Sequence, residues 1–417
     1  MPDMMDAVPG DDGPGRNGPL AGYRILEVGH YLAAPYAGLL LADLGADVIK
    51  VETAAGDIAR TVGPHRRGTH NLYFNAFNRN KRSVCIDLGT AEGQEQLGRL
   101  ASTAQGLITN LRPAAVHKLG LTYAALKRWN PAIACVALSG YGLEGESSNR
   151  PSYDHLVQAL TGLMKMTGEP DAAPTRVGYS VVDNTGGIMG ALGLVAHMLG
   201  GRGGQVDIAL HDVVLSQMNY LAVNYLNVGE LPRRYPRGSH PYFVPTQIFA
   251  TRDGHVSTFI THDAFWRQFA EAVEQPHWAD DPRFVTLEAR AANREALVAE
   301  VAALFATRET EHWVRTLVPR GVLLAPVQDL GEALDSATTR ARGMVVDLET
   351  EAGPIRTVGN PIRAQGQTTV YRRAPLLGEH TQDLLQEVRT ASRPARPACK
   401  DSRRIRPVRT RTPRTRT

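Results

Sequence analysis

The chain has 417 residues, of which 43% are hydrophobic, and its formal net charge is +4. This length predicts more than one domain, because single cores stop growing near about 250 to 300 residues. No apolar run is long enough to span a bilayer, and the three cysteines (Cys85, Cys135 and Cys399) are too few and too scattered for a disulfide framework or a metal-ligand cluster. Cys85 and Cys135 lie in strand-like runs and are predicted to be small core residues.

The positive charge lies at the C-terminal end. Residues 388–417 contain eleven Lys/Arg and one Asp, whereas the rest of the chain contains 35 basic and 41 acidic residues. A disordered basic tail is predicted over 389–417, and the acidic, Pro/Gly-rich residues 1–18 predict a disordered N-terminal tail. Because residues 1–18 also lack the apolar core of a signal peptide, we expect a cytoplasmic protein without a membrane partner or a specific nucleic-acid partner.

Strand and helix patterns alternate through the first part of the chain. Strand character occurs at 23–30, 47–52, 83–88, 106–111 and 132–140, and helical spacing at 34–46, 90–104 and 122–130. This alternation predicts an α/β fold with a parallel sheet covered on both faces. Ligands are then expected at the carboxyl ends of the strands.

Two carboxylates each precede an apolar run with helical spacing. Asp154 begins one run, and Asp183 begins the run that ends near Gly200. Backbone N–H groups and the helix dipole keep a carboxylate ionised at such a position, so Asp183 is the candidate nucleophile and Asp154 a second catalytic candidate. The alternative is that each Asp is an ordinary helix cap, which is the commoner use of Asp there.

The pattern changes after a strand and a long helix over 205–226. The Pro/Arg-rich residues 229–245 predict a linker or an active-site loop. Residues 246–260 then predict a hairpin that turns at Asp253-Gly254, and helices are expected near 264–274, 293–307 and 309–318. We therefore predict a large domain at 19–225, a linker and active-site loop at 226–245, a small domain at 246–330, and a return to the large domain at 331–388.

Ten motifs in the same order give the chain a family resemblance. The sequence resembles the class III coenzyme A transferases, a family that contains formyl-CoA transferase, carnitine CoA-transferases and α-methylacyl-CoA racemase. The matching motifs are LADLGADVIKVE (41–52), GDIAR (56–60), FNRNKRSVCIDL (77–88), NLRP (110–113), KLGL (118–121), SGYG (139–142), YDHLVQALTG (153–162), VVDNTGGI (181–188), GRGGQVDIALHD (201–212) and APLLGEHT (374–381).

The resemblance implies an acyl-CoA:carboxylate CoA-transferase whose nucleophile is Asp183. It also implies a Rossmann-like large domain, a small domain and an interlocked homodimer, with CoA as a substrate and no tightly bound cofactor or metal. A carboxylate can carry an acyl group as a mixed anhydride and then carry CoA as a thioester. Gly238, in the flexible run 237–240, is expected to help close the site and to provide N–H donors, unless this run is an ordinary connection.

The resemblance also implies where CoA binds. By position, the implied contacts are Leu32, Ala33, Ile86, Asp87, Asn110, Arg112, Lys118 and Tyr153. Arg112 and Lys118 carry charges that suit the phosphates of CoA, although a lone Lys is more often a solvated surface charge. Thr53 and Glu146 stand where other members have Arg and Pro, so we expect further basic residues to contribute to CoA affinity.

Several residues favour one reaction over the other reactions known in the family. Tyr153-Asp154 stands where racemase-like members have His-Asp, and a Tyr with an ordinary pKa is a poor acid or base, so transfer is favoured over racemisation. Differences from formyl-CoA transferases at Leu32 and in the loop disfavour an oxalate-specific enzyme. Arg237 and His240 are expected to bind the second carboxylate of a dicarboxylic acid. The alternatives are an acyl-CoA racemase of the same fold and a catalytically silent CoA-binding protein.

Overall fold

The computed structural model of the protein describes residues 18–365 and 369–390, so the predicted tails, except Gly18, Arg389 and Thr390, lie outside the described residues, as does Cys399. The described strands are β1 (Arg24–Val28), β2 (Asp47–Glu52), β3 (Arg66–Arg67), β4 (His70–Asn71), β5 (Arg82–Cys85), β6 (Gly106–Thr109), β7 (Ala134–Ser139), β8 (Gly204–Ala209), β9 (Ile248–Ala250), β10 (His255–Thr258), β11 (Leu324–Pro326), β12 (Val345–Leu348) and β13 (Ile355–Val358).

The helices connect and cover these strands. The described α-helices are α1 (Ala33–Asp43), α2 (Leu72–Asn78), α3 (Ala91–Thr103), α4 (Pro113–Lys118), α5 (Tyr123–Leu126), α6 (Asp154–Leu160), α7 (Leu163–Met166), α8 (Val181–Leu199), α9 (Leu210–Gln217), α10 (Asn219–Val228), α11 (Asp263–Ala272), α12 (Leu287–Ala292), α13 (Arg294–Phe305), α14 (Thr310–Leu317), α15 (Leu330–Leu334), α16 (Ala337–Ala341) and α17 (Thr381–Thr390). No described helix combines the length and apolar character needed to cross a bilayer.

Six strands form one parallel sheet in the order β5-β2-β1-β6-β7-β8. This arrangement confirms the predicted α/β fold with a parallel sheet. From β1 the chain adds β2 and β5 on one side, and it then adds β6, β7 and β8 on the other. The direction of winding therefore reverses between β1 and β6, which makes the carboxyl ends of these two strands the topological switch point.

Neighbouring residues of each strand point to opposite faces of the sheet, and helices bury both faces. Leu26 and Ile49 pack in a core that also contains residues of α3, α5 and α17. Ile25 and Val48, one position earlier on the same strands, pack with residues of α1 and α8. Two helical layers thus cover one sheet, and the strands read as near-continuous apolar runs.

A separate core lies in the second half of the chain. Strands β9, β10 and β11 form an antiparallel sheet, and helices α11, α13 and α14 pack on it. Aromatic rings fill this core, with Trp266 stacked 5.9 Å from Trp278 and Phe305 edge-to-face 5.1 Å from Trp313. The predicted hairpin at Asp253-Gly254 is present between β9 and β10.

The end of the described chain returns to the parallel sheet. Leu384 and Val388 of α17 lie in the same core as the strands. Glu387 lies 2.8 Å from Arg24 Nη2 and 2.5 Å from Arg82 Nη1, so ion pairs join α17 to β1 and β5. These contacts place the helix against the first part of the chain, although some 300 residues separate them in sequence.

Two helical predictions differ from the structure for local reasons. The helix predicted over 122–130 ends at Leu126, and turns continue to Asn130, which precedes a proline and cannot readily extend a helix. The long helix predicted after β8 is divided into α9 and α10 at Asn219, whose φ is 44°. Cys135 is fully buried in β7 as predicted, whereas Cys85 is only partly buried at the end of β5.

Candidate active site

The loop that follows β1 lies at the switch point of the parallel sheet. The His30 N–H donates to Asn110 Oδ1 at 2.9 Å, and Asn110 Nδ2 donates to the His30 carbonyl at 2.9 Å. Gly29 is required here, because a Cβ at this position would lie 2.5 Å from Asn110 Oδ1. Asn110, one of the predicted CoA contacts, therefore fixes the loop at the crevice where α/β sheets bind ligands.

Four charged side chains are buried beneath this loop. Lys50 Nζ lies 2.7 Å from Glu27 Oε1 and 2.8 Å from Asp57 Oδ2, and it donates to the Gly29 carbonyl at 3.2 Å. Lys81 Nζ lies 2.6 Å from Glu27 Oε2. We call Glu27, Lys50, Asp57 and Lys81 the buried ion cluster. Its two negative and two positive charges balance, as complete burial requires.

The buried ion cluster holds the loop after β1 through Asp57. Asp57 Oδ1 accepts hydrogen bonds from Tyr31 N at 3.1 Å and Ala59 N at 2.9 Å. Burial would raise the pKa of Asp57, but the charge of Lys50 and the hydrogen bonds outweigh it and hold this pKa far below its usual range. Burial lowers the pKa of Lys81 to about 8 despite the opposing charge of Glu27. None of the sequence motifs had indicated this cluster.

Replacing Lys50 by methionine should lower the free energy of unfolding by about 3 to 5 kcal/mol, because it leaves buried carboxylates without their partner. Chemical denaturation at pH 7 measures the change. Arg99→Met is the control, since Arg99 pairs with Glu95 on the surface of α3 and exposed pairs contribute about 1 kcal/mol or less. Small and equal losses in both variants would contradict this role of Lys50.

Asp154 and Asp183 meet at the N-terminus of α8. Asp154 is the first residue of α6, and Asp183 is the third residue of α8. Asp154 Oδ1 accepts from Val182 N at 2.8 Å and from Asp183 N at 3.4 Å, and its Oδ2 accepts from Gln158 Nε2 at 2.6 Å. Asp154 therefore caps the N-terminus of α8. The alternative that Asp154 is a helix cap is correct, but the capped helix is α8 and not α6, to which Asp154 itself belongs.

The ionisation expected for Asp183 needs correction. Burial, with a further contribution from the charge of Asp154, raises the pKa of Asp183 to about 7. Asp154 occupies the N–H groups that would otherwise stabilise a charge on Asp183, and in the described part of the chain no donor hydrogen-bonds the Asp183 carboxylate. Asp183 is thus a poorly solvated carboxylate that gains its full charge only above neutral pH.

Glycines on α8 bring Asp183 close to the loop after β1. A Cβ at Gly187, one helical turn beyond Asp183, would lie 2.8 Å from the Ala33 carbonyl oxygen. Helices α8 and α1 therefore cross at backbone contact, which only glycine allows. The rings of Tyr31 and Tyr153 meet edge-to-face with their centroids 6.3 Å apart. The loop after β1 and the start of α6 thus form two sides of one crevice.

The other predicted CoA contacts differ in exposure. Leu32, Ala33 and Ile86 are buried, whereas Tyr153 is 57% exposed. Asp87 is exposed, and its carboxylate accepts a backbone hydrogen bond from two residues further on. Asp87 therefore stabilises the turn before α3. Of these residues, only Tyr153 and Asp87 present an exposed side chain.

Two exposed basic residues lie at the two ends of α4, the helix that follows β6. Arg112 precedes the helix, two residues after Asn110, and Lys118 is its last residue. Among the described residues neither has an ion-pair partner, so both charges are available to an anion. Across residues 18–365 and 369–390, no three His, Cys, Asp or Glu side chains come together as metal ligands do.

Residues 235–241 form a compact turn, which we call the 235–241 loop. A 3-10 turn spans Pro236–Gly238, and φ is 54° at Arg237 and 64° at Gly238. A left-handed backbone is free of strain for Gly but unfavourable for Arg. The Arg237 N–H donates to Glu169 Oε1 at 2.8 Å, and the Arg237 side chain is exposed. The exposed guanidinium remains available to a carboxylate.

His240 has a different role from the one expected. Its Nδ1 accepts hydrogen bonds from the N–H groups of Tyr242 and Phe243, both at 3.2 Å, and its ring stacks 4.4 Å from that of Phe243. Burial and the charge of Arg294 lower the pKa of His240. His240 is therefore neutral and stabilises a turn, so it can offer a substrate only the hydrogen on Nε2 and not a positive charge.

An open cavity of about 250 Å³ lies beside the 235–241 loop. Gly238 and Ser239 line it together with Tyr220, and Arg233 and Arg234 add positive charge that the sequence analysis had not singled out. Asp183 does not line this cavity. The cavity beside the predicted loop is therefore not the crevice where Asp183, Asp154 and the loop after β1 come together.

Comparisons with known proteins agree with this architecture. The succinate–glutarate CoA-transferase of Agrobacterium fabrum is 35% identical over 404 residues, which cover 93% of this chain and 100% of that protein. The succinyl-CoA:mesaconate CoA-transferase of Haloarcula hispanica is 34% identical over 385 residues, which cover 89% of this chain and 96% of that protein.

Structural comparison leads to the same group of proteins. The crystal structure of a CAIB/BAIF family protein from Brucella suis matches with a TM-score of 0.79 and 32% identity, and the match covers 89% of this chain and 100% of that one. The family model described as CoA-transferase family III matches residues 20–381. The resemblance carried by the sequence motifs is therefore confirmed, and the chain belongs to CoA-transferase family III.

Proposed function

We propose that this protein transfers CoA from an acyl-CoA thioester to a free dicarboxylic acid, with Asp183 as the nucleophile. One observation carries the proposal. Among the described residues no donor bonds to the carboxylate of Asp183, which lies at the start of α8, beside the loop at the switch point of the sheet. A carboxylate in this state is a stronger nucleophile than one that water or N–H groups stabilise.

The proposed reaction needs no group other than the two substrates and Asp183. The Asp183 carboxylate attacks the thioester carbonyl of the acyl-CoA. CoA leaves as a thiolate, and a mixed anhydride between Asp183 and the donor acid remains. The thiolate then attacks the Asp183 carbonyl, which releases the donor acid and forms an aspartyl-CoA thioester. The acceptor carboxylate attacks this thioester, and the freed thiolate takes the acceptor acyl group from the second anhydride. Acyl-CoA leaves, and the carboxylate of Asp183 is restored.

Dicarboxylic acids are proposed as substrates because of the basic residues beside the 235–241 loop and the names of the relatives. Arg237 is exposed, and Arg233 and Arg234 line the adjoining cavity. A guanidinium can bind a carboxylate through two parallel hydrogen bonds. The relatives are named for glutarate and mesaconate, both dicarboxylic acids. Neutral His240 would add one hydrogen bond through Nε2.

Racemisation of an acyl-CoA is the second candidate, because a carboxyl group with a pKa of about 7 also suits a general base. A racemase needs a second acid or base on the other face of the α-carbon. Tyr153, where racemase-like members have His, does not meet that need, so transfer is favoured. A catalytically silent CoA-binding protein would not need a carboxyl group with a raised pKa at Asp183.

CoA exchange measured by mass spectrometry tests the proposed function. The protein is incubated with succinyl-CoA and, in separate reactions, with glutarate, mesaconate or the monocarboxylate butyrate. Transfer to a dicarboxylic acid, with little transfer to butyrate, is expected. α-Proton exchange in deuterium oxide without any transfer would establish the racemase instead, and binding of succinyl-CoA without either reaction would establish the silent protein.

Removing the charge of Arg112 or Lys118 should raise the KM for acyl-CoA by about ten- to a hundredfold with little change in kcat, because a lost charge-assisted hydrogen bond costs about 1.5 to 3 kcal/mol of binding. Steady-state kinetics of Arg112→Met and Lys118→Met measure the effect. Lys127→Met is the control. Lys127 is exposed on the segment that leads into β7, at the amino ends of the strands, whereas ligands are expected at the carboxyl ends. An unchanged KM in both test variants would remove these residues from the CoA site.

We also propose an interlocked homodimer with a Rossmann-like large domain at 19–225 and 331–388, a small domain at 246–330, and a linker at 226–245. The cavity beside the 235–241 loop is not lined by Asp183, which supports a dimer in which a partner completes the site. Exposed apolar side chains on α8, α9 and α10 support it further, and they include Ile188, Leu192, Leu199, Leu215, Val223 and Leu226. We further propose that CoA binds only as a transient substrate and that the protein is cytoplasmic.

A further inference from the structure

Arg294 lies where the second core meets the 235–241 loop. It is the first residue of α13, and Leu297, Val301 and Phe305 of that helix are fully buried among the aromatic side chains of the core. The backbone at Arg294 is therefore held by a rigid element. Its side chain leaves the core and reaches the loop.

The guanidinium of Arg294 bonds to the loop at three positions. Nη1 donates to Ser239 Oγ at 2.7 Å, and Nη2 donates to the carbonyls of His240 at 3.2 Å and Pro241 at 2.8 Å. The charge also lies 5.1 Å from the centre of the Tyr235 ring, within cation–π distance. One side chain thus contacts the first and the last residue of the loop.

The loop needs such support because its own backbone is strained. Two successive residues, Arg237 and Gly238, have left-handed φ values, and only the glycine adopts them without cost. Within the loop, backbone bonds close at Ser239 N to Pro236 O and at His240 N to Thr246 O. The carbonyls of His240 and Pro241 receive their hydrogen bonds from Arg294.

We propose that Arg294 is a positioning residue that holds the shape of the 235–241 loop, and that this loop keeps water away from the acyl-aspartyl intermediate in the site that a partner completes in the proposed homodimer. This inference rests on the proposed function, because the loop has a reason to exclude water only if an anhydride forms. Arg294 contacts the loop and not the substrate. Its loss should therefore change what happens to the intermediate rather than whether the intermediate forms.

The test is the ratio of acyl-CoA hydrolysis to CoA transfer. In Arg294→Met this ratio should rise by about tenfold or more, because the loop loses three hydrogen bonds to a charged group. Arg294→Lys should give a smaller rise, since an ammonium keeps the charge but loses the fork geometry. Ser239→Ala, which removes one of the three acceptors, should also give an intermediate value.

The matched control is Arg267→Met. Arg267 belongs to α11 in the same core, its side chain is exposed, and its nearest acidic partner is Asp280 at 3.6 Å. This variant should have the wild-type ratio. A ratio that stays at the wild-type value in Arg294→Met, while wild-type transfer is present, would overturn the inference and leave the proposed function intact.

Hydrogen exchange measures the protection of the amides of the 235–241 loop and does not require catalytic turnover. The amides of residues 237–240, 242 and 243 should exchange faster in Arg294→Met than in the wild type, and the amides of α13 should keep their protection. Unchanged exchange across the loop would overturn the role of Arg294 even if the wild type showed no transfer. An absence of wild-type transfer would overturn the proposed function separately.

Discussion

Replacing Asp183 by asparagine should abolish CoA transfer, with a loss of at least about a thousandfold in kcat, because an amide cannot attack the thioester. Asn has nearly the shape of Asp and no charge, so the contacts of α8 with the loop after β1 should remain. Steady-state assays with succinyl-CoA and a dicarboxylic acid measure the loss. Residual activity within tenfold of the wild type would move the nucleophile to another residue.

The same variant should be at least as stable as the wild type at pH 8. The pKa of Asp183 is raised in the folded state to about 7 from an ordinary value of 3.8, so the folded protein loses stability as the pH rises from the ordinary value to the raised one, and the loss is complete at pH 8. Asparagine never ionises and avoids that loss. A higher Tm at pH 8 for Asp183→Asn, and a difference that vanishes toward pH 4, would show that catalysis and not folding was removed.

Asp212→Asn is the matched control for this substitution. Asp212 is the third residue of α9, as Asp183 is of α8, and its side chain is exposed beside His211. The two changes remove a carboxylate from the same position of a helix. Transfer should survive in Asp212→Asn, which would assign the loss in Asp183→Asn to the site rather than to the helix.

Transfer should also lose about tenfold in kcat/KM for each pH unit below 7, which gives about a hundredfold loss at pH 5, because only the ionised carboxylate attacks. The acidic limb of the profile reports the Asp183 carboxyl group of the free enzyme, whose pKa is about 7. Measuring kcat/KM for succinyl-CoA between pH 5 and pH 9 tests this expectation.

Asp154→Asn separates the causes of the raised pKa. The Asn oxygen can still accept from Val182 N, but the negative charge that adds to the pKa of Asp183 is gone. The acidic limb should therefore move to lower pH while burial keeps it above the ordinary value. A limb that does not move would show that Asp183 does not set the pH dependence, or that Asp154 does not influence it.

The periodicity of the sequence was sufficient to predict the parallel sheet. Strand β2 was predicted with its observed bounds at 47–52, and α1 and α3 within three residues, because buried parallel strands are continuous apolar runs. Asp183 was located by its motif. Its raised pKa was not predicted, because Asp154 lies 29 residues earlier in the chain and only the fold brings its carboxylate to the N–H groups of α8.

The buried ion cluster had a signal that could have been used. Glu27 and Lys50 each lie between two apolar residues of a buried strand, and a charge in such a position needs a buried partner. The sequence does not show which partner each one has. Lys50 pairs with Glu27 on the neighbouring strand and with Asp57 in the loop after β2, and these pairings depend on the strand order.

The role of the 235–241 loop was the least predictable part of the site. Its Pro/Gly pattern indicated a turn, and the turn is present. The partners of His240 are backbone groups two and three residues away, and Arg294 comes from a helix more than 50 residues later. The neutral state of His240 follows from these contacts and from burial, which composition and spacing do not reveal.

Chemical trapping of the intermediate tests the central claim most directly. The wild-type protein is incubated with succinyl-CoA and then treated with hydroxylamine or borohydride, and the modified peptide is identified by mass. We expect a modification on Asp183 that requires succinyl-CoA and that is absent from Asp183→Asn. Modification of Asp154 instead, or transfer without any modified carboxylate, would contradict the assignment of Asp183 as the residue that carries the acyl group and CoA.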